Sequence, residues 1–247
     1  MAIKPILFNT PMIQAILDGR KTVTRRVANI NTEIPCIGRD NHSFVWDNLV
    51  GAGEDEATGF ICKHCGFGVS PPHSRYPCGT SAFRPRYVIG DILYVRETFT
   101  ELFYVDPDGY THFDKSMYYY AADGTPDITL VDGDGFVEDD QRIRWKPSIH
   151  MPKDAARIFL RVTDVRVERL QDISADQCAM EGVCPLYAGP IGGRESYYKT
   201  AFAKLWNSTI KKEDLLTYGW DANPWVFVYR FERCENPFTE TEAQSDA

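Results

Sequence analysis

With 247 residues and 43% apolar content, the chain is long enough for one large domain, or a smaller one carrying insertions, around a sizeable core. No stretch approaches a membrane span and the N-terminus lacks the basic-then-apolar layout of a signal peptide, so a soluble cytoplasmic protein is expected. The net charge of −8 is uneven: residues 100–141 carry −10 and residues 235–247 carry −4, leaving the remainder at +6 and residues 1–26 alone at +4. A basic core dressed with acidic segments is compatible with an anionic ligand and does not require one.

Lys4 to Asn9 is a short apolar run that predicts a first strand. A helix follows, with Thr10 as N-cap, Pro11 in the first turn, and Met12, Ile13, Ile16 and Leu17 on one face. Gly19 is its left-handed stop. Lys21 to Val27 then alternates like a strand. The stretch Gly19-Arg20-Lys21-Thr22-Val23-Thr24-Arg25-Arg26 gathers four cations and two hydroxyls in eight residues. A desolvated lysine has a lowered pKa and can take a proton from a hydroxyl, turning it into a nucleophile. On spacing alone, a solvated basic strand edge is the commoner reading. Strict alternation also sends Lys21 and Thr24 to opposite faces, so a shared site needs a bulge or irregular turn.

Residues 28–88, rich in Gly, Pro, Asn and Asp, read as an irregular insertion. Gly90-Asp91 is a turn opening a strong strand from Ile92 to Thr98. The acidic insertion 100–141 contains a strand over Met117–Ala122 and then Asp/Gly turns through Asp140. Arg142–Trp145 predicts another short strand, ended by Pro147. Ala156 to Leu170 is the clearest β pattern: Ile158, Leu160 and Val162 share a face, and Val165 and Val167 resume out of phase after a bulge near Thr163-Asp164. Ser174 caps a short helix, Gln177 completes the capping box, and Gly182 stops it. Glu181 is then the last helical residue, where the helix dipole disfavours an anionic carboxylate. Residues 196–206 form a second amphipathic helix with Tyr198, Phe202, Leu205 and Trp206 inward. A final strand spans Trp225 to Arg233, and a disordered acidic tail covers 235–247. Strands outnumber helices and are widely separated, which predicts an α+β, mainly β fold: a small barrel or sandwich with peripheral helices.

Seven cysteines without a secretion signal read as thiols or metal ligands. Cys62-Lys63-His64-Cys65-Gly66 has the form of a zinc knuckle. Cys36, Cys78 and His73 are candidates for the second pair, and Cys36, Cys62, Cys65 and Cys78 make the best four ligands for a structural zinc. The insertion has few apolar residues, so metal-binding free energy would serve as its folding free energy. The alternative is reduced cysteines in a loop with nothing bound.

Several motifs together resemble the ASCH-domain family of the PUA-like superfamily. They are Ile6-Leu7-Phe8, then Ile16-Leu17-Asp18-Gly19-Arg20-Lys21-Thr22 with Thr24-Arg25-Arg26, and Gly90-Asp91 with Tyr94-Val95-Arg96-Glu97-Thr98. Trp145-Lys146-Pro147-Ser148-Ile149-His150-Met151-Pro152, Arg157-Ile158 and Trp220-Asp221-Ala222-Asn223-Pro224-Trp225-Val226 are similar to the larger phage and prophage members. The resemblance spans residues 3 to 232 and implies a PUA-like (ASCH) β-barrel over residues 1–234. Some small bacterial members are amidohydrolases that remove the acyl group from N4-acetylcytidine, using a lysine, a threonine and a glutamate. By position these correspond to Lys21, Thr24 and Glu181, with insertions and Arg25-Arg26 as departures from the small enzymes.

The implied chemistry uses Thr24 as nucleophile, Lys21 as base or electrostatic partner and Glu181 as acid/base, with the last two roles exchangeable and an activated water able to replace Thr24. Arg20, Arg25, Arg26 and Arg96 are candidates to hold phosphate or ribose, against the alternative of a solvated face. Glu97 is expected to pair with the Arg25-Arg26 segment or to accept from a cytosine-like amino group. The partner is thus a modified nucleoside or RNA. A non-catalytic module binding RNA or a modified base is the competing reading; a ribonuclease finds no neighbouring pair of histidines in support.

Overall fold

A computed structural model describes residues 2–28, 44–46, 60–62, 68–69, 85–106, 108, 110–124, 130–131, 143–184 and 193–238. The chain is mixed α and β with a sheet-rich core, and its described strands do not close into a barrel. It divides into two compact units: Met1–Lys21 with Asp91–Arg161 and Glu232–Ala247, and Thr22–Gly90 with Val162–Phe231. Among the described residues, no helix is long and apolar enough to cross a membrane.

In the first unit, β1 (Ile3–Leu7) runs parallel to β6 (Ile92–Arg96), which pairs antiparallel with the start of β10 (Phe159–Arg169). The Lys4 ammonium meets the buried Asp91 carboxylate at 2.7 Å and ties the two strand starts together. Helix α1 (Thr10–Leu17) buries Ile13 and Ile16 as expected, but its N-cap is Asn9 rather than Thr10. The Asn9 side chain accepts from the Met12 amide, and Asn outranks Thr as a cap, so the helix starts one residue earlier. Gly19 at φ 74° provides the left-handed stop.

Of the strand expected at Met117–Ala122, residues 117–120 are the end of a longer one, while Ala121 and Ala122 begin a 3-10 turn. β8 (Thr111–Tyr120) forms a hairpin with β7 (Phe99–Val105), a strand hidden in the sequence by its acidic surroundings, and β9 (Leu130–Val131) adds to β7. No strand forms at 143–145; Lys146 alone bridges Phe99, because Pro147 has no amide hydrogen with which to continue a ladder. Ile92, Phe99, Met151, Ala155, Ala156 and Phe159 make the apolar centre of this unit. Phe238 packs on Phe159 at 5.9 Å between ring centroids, beneath the Lys153 ammonium at 3.8 Å. The tail beyond Phe238 lies outside the described residues.

In the second unit the strand order is β10, β11 (Trp225–Cys234), β2 (Val23–Val27). β2 and β11 are antiparallel, with Thr24 opposite Tyr229 and Arg26 opposite Phe227. One face of this ribbon carries Val23, Val226 and Val228. They pack with Cys178 of α2 (Ala175–Met180) and with Phe202 and Trp206 of α3 (Gly193–Thr209). Alternation gives Thr24, Arg26, Phe227 and Tyr229 the other face. The capping box of Ser174 and Gln177 forms as expected. Along β10 the buried residues switch phase, from Leu160 and Val162 to Val165 and Val167. A short helix α4 (Leu215–Tyr218) precedes β11. The stretch 28–88 is not wholly irregular: β3 (Phe44–Trp46), β4 (Phe60–Cys62) and β5 (Gly68–Val69) form a small antiparallel sheet. Its strands of two or three residues are too short to show a period of two in the sequence.

Candidate active site

β2 begins at Val23, so Lys21 and Thr22 precede the alternation rather than obey it. The alternation expected from Lys21 to Val27 is thus shorter by two residues at its start. The Lys21 amide donates to the Ala15 carbonyl at the end of α1, 2.9 Å away. Its side chain is 2% exposed, with the ammonium 5.4 Å from the Phe8 ring centre. Thr22 donates to the Met180 carbonyl at 2.8 Å and accepts from the Phe231 amide at 3.0 Å. Thr24 is 3% exposed.

Arg25 is the electrostatic centre of the second unit. Its side chain is wholly buried. Nη1 donates to Glu181 Oε1 at 3.0 Å, Nε and Nη2 donate to Glu168 Oε1, and Nη2 also reaches Gln177 Oε1 at 3.2 Å. Glu168 is held from its other oxygen by Arg166 Nε at 3.1 Å. Glu181 is the C-cap residue just beyond α2, still in helical conformation and 3% exposed. A carboxylate there faces the unfavourable end of the helix dipole, and the Arg25 guanidinium offsets that.

Thr24, Arg25 and Glu181 thus belong to one unit, and Lys21 is the last residue of the first segment of the other. Arg26 is half-buried on the Thr24 face, and burial lowers its pKa against the opposing fields of Tyr87, Glu181 and Tyr229. The phenols Tyr87 and Tyr229 meet edge to face at 5.1 Å, and burial pushes the Tyr229 hydroxyl up to about 12. Arg20 is exposed and pairs with Asp18 at 2.7 Å.

The remaining candidates are engaged within the first unit. Arg96 donates to the carbonyls of Met151 and Ile149 at 2.8 and 2.7 Å, so it braces a turn. Glu97 takes a two-pronged bond from Arg157, Nε to Oε1 and Nη2 to Oε2, each 3.0 Å. Its expected partner, the Arg25-Arg26 segment, is replaced by Arg157, whose other contacts are Asp123 and the Tyr120 ring. Burial raises the Glu97 pKa despite that guanidinium.

Of the four thiols expected to bind zinc, only the Cys62 backbone, at the end of β4, is described; Cys36, Cys65 and Cys78 lie outside the described residues. Among the described residues no group of His, Cys, Asp and Glu has metal-site geometry. Glu168 and Gln177 were not legible as site residues. Glu168 sits on an alternating strand like any solvated acid, and Gln177 already had a sufficient role in the capping box. Comparisons with family models, with curated proteins and with solved structures find no match.

Proposed function

We propose that the chain is an amidohydrolase that removes the acyl group from N4-acetylcytidine or a related modified cytosine nucleoside. The observation carrying this reading is that the Thr22–Arg25 segment is bonded twice to the end of α2, through Thr22 to Met180 and through Arg25 to Glu181. Strand β2 and the end of α2 are thereby tied together inside one unit, with Arg25 on the face that meets Glu181 and Thr24, its chain neighbour, on the alternate face. Burial of Lys21, Thr24 and Glu181 adds support, since polar side chains so far removed from water need a reason.

In this mechanism Thr24 Oγ attacks the acyl carbonyl carbon and gives its proton to a base, the role proposed for Lys21, with an electrostatic role as the alternative. Glu181 passes a proton to the cytosine amino nitrogen as the C–N bond breaks. Water then hydrolyses the threonyl ester: its proton returns to Glu181, the base hands its proton back to Thr24 Oγ, and the acyl group leaves as acetic acid. The PUA-like ASCH fold is part of the same proposal, supported by the β1–α1–β2 opening that carries the Gly-Arg-Lys-Thr motif. A structural zinc on Cys36, Cys62, Cys65 and Cys78 belongs to it too, and metal analysis of purified protein should find about one zinc per chain.

The test is chromatography of N4-acetylcytidine incubated with the protein. Cytidine and acetate should appear at a rate nearly independent of salt. No turnover, with RNA binding that weakens steeply as salt rises, would instead establish a binding module.

A further inference from the structure

We infer that Arg25 is a positioning residue for Glu181 rather than a contact for substrate phosphate; this rests on the amidohydrolase reading. A guanidinium reserved for a ligand presents its N–H groups to an opening. Arg25 has no exposed side-chain surface, and Nε, Nη1 and Nη2 all donate to Glu168, Glu181 or Gln177. The geometry forms a clamp with a fixed end and a working end. At the fixed end, Glu168 takes two bonds from Arg25 through Oε1 and one from Arg166 through Oε2. At the working end, Arg25 Nη1 donates to Glu181 Oε1 and fixes the direction of that carboxylate.

The planar fork holds this arrangement, because its donors are fixed relative to one another. Gln177 joins the clamp to the helix that presents Glu181: its Oε1 accepts from Arg25 and from the Ser174 amide. Rotation of the guanidinium would disturb the helix cap and the catalytic carboxylate together.

The experiment compares wild type with Arg25→Lys, Arg25→Met and Glu168→Gln, with kcat and KM for N4-acetylcytidine separated and folding checked by circular dichroism. Arg25→Lys keeps the charge but loses the fork, and kcat should fall roughly ten- to hundredfold with KM within about twofold. Arg25→Met should fall further. Glu168→Gln, which retains both Arg25 and Glu181, should lower kcat about threefold at unchanged KM, and decides the matter should Arg25→Met not fold. An active wild type whose variants raise KM at constant kcat would overturn positioning and restore substrate contact. Variants as active as wild type would overturn it as well. A wild type that releases no acetate removes the amidohydrolase reading, and this inference with it.

Discussion

Two arginine–carboxylate clusters, one in each unit, look alike on paper and differ in what they leave over. In the first, Arg157 meets both oxygens of buried Glu97 in a matched fork and leans on Asp123 and the Tyr120 ring. In the second, Arg25 gives one N–H to Glu181 and the rest to Glu168 and Gln177. The first is a closed brace, in which the acid's acceptor positions toward its partner are matched and burial disfavours its charge. The second shares its donors among three acceptors, with two bonds to Glu168 and one each to Glu181 and Gln177.

The largest effect should come at the proposed nucleophile. Thr24→Ala should lower acetate release by at least about 10³-fold, as removal of an attacking group does, with an unchanged melting curve. Retained activity would transfer attack to a water. Lys21→Ala should likewise abolish turnover, and full activity there would remove Lys21 from the mechanism. The brace should respond in the opposite currency. Arg157→Met leaves Glu97 buried without its partner and should cost about 3 kcal/mol in urea unfolding. At denaturant concentrations where the variant remains folded, kcat should be unaffected. A loss of kcat without loss of stability would erase the distinction between the two clusters.

The sequence disclosed the parts of this contrast unequally. Lys21, Thr24 and Glu181 were singled out through the family resemblance together with a basic turn and a helix end, and all three prove buried. Glycine stops and the Ser174 capping box were legible because they leave marks in local sequence. The partners of the charges were not. Arg25 meets residues 143 and 156 positions away, and Glu97 meets one 60 away, separations that no periodicity encodes. The hairpin of β7 and β8 was half visible: Phe99–Val105 is rich in aromatic and β-branched residues, but its place at the start of an acidic stretch left it read as insertion.

A finer test uses acidity. The raised pKa of Glu97 means that the folded state holds its proton more tightly than the unfolded chain does. As pH climbs from the ordinary glutamate value through the raised folded value, the unfolded state loses that proton first, so this group's contribution to stability falls with rising pH. This is the reverse of an acid whose pKa is depressed. Urea unfolding of wild type and Glu97→Gln between pH 4 and about 7 should show the difference between them shifting steadily in favour of the variant as pH rises. A difference shifting the other way would mean that Arg157 outweighs burial.

The smallest effect should be at Arg20, whose side chain is 45% exposed in a pair with an exposed aspartate. Such pairs contribute little in water, so Arg20→Gln should change stability by less than about 0.5 kcal/mol. Its informative readout is comparative. With the nucleoside, KM should be unchanged; with N4-acetylcytidine 5′-monophosphate, KM should rise only where Arg20 reaches phosphate. Arg25 and Arg20 are five residues apart in the chain, one with no exposed side-chain surface and the other nearly half exposed. If the inward arginine arranges catalysis and the outward one senses phosphate, kcat should follow Arg25 alone and the phosphate-dependent part of KM should follow Arg20 alone. An Arg25 variant that discriminates nucleotide from nucleoside would show that the two cannot be separated in this way.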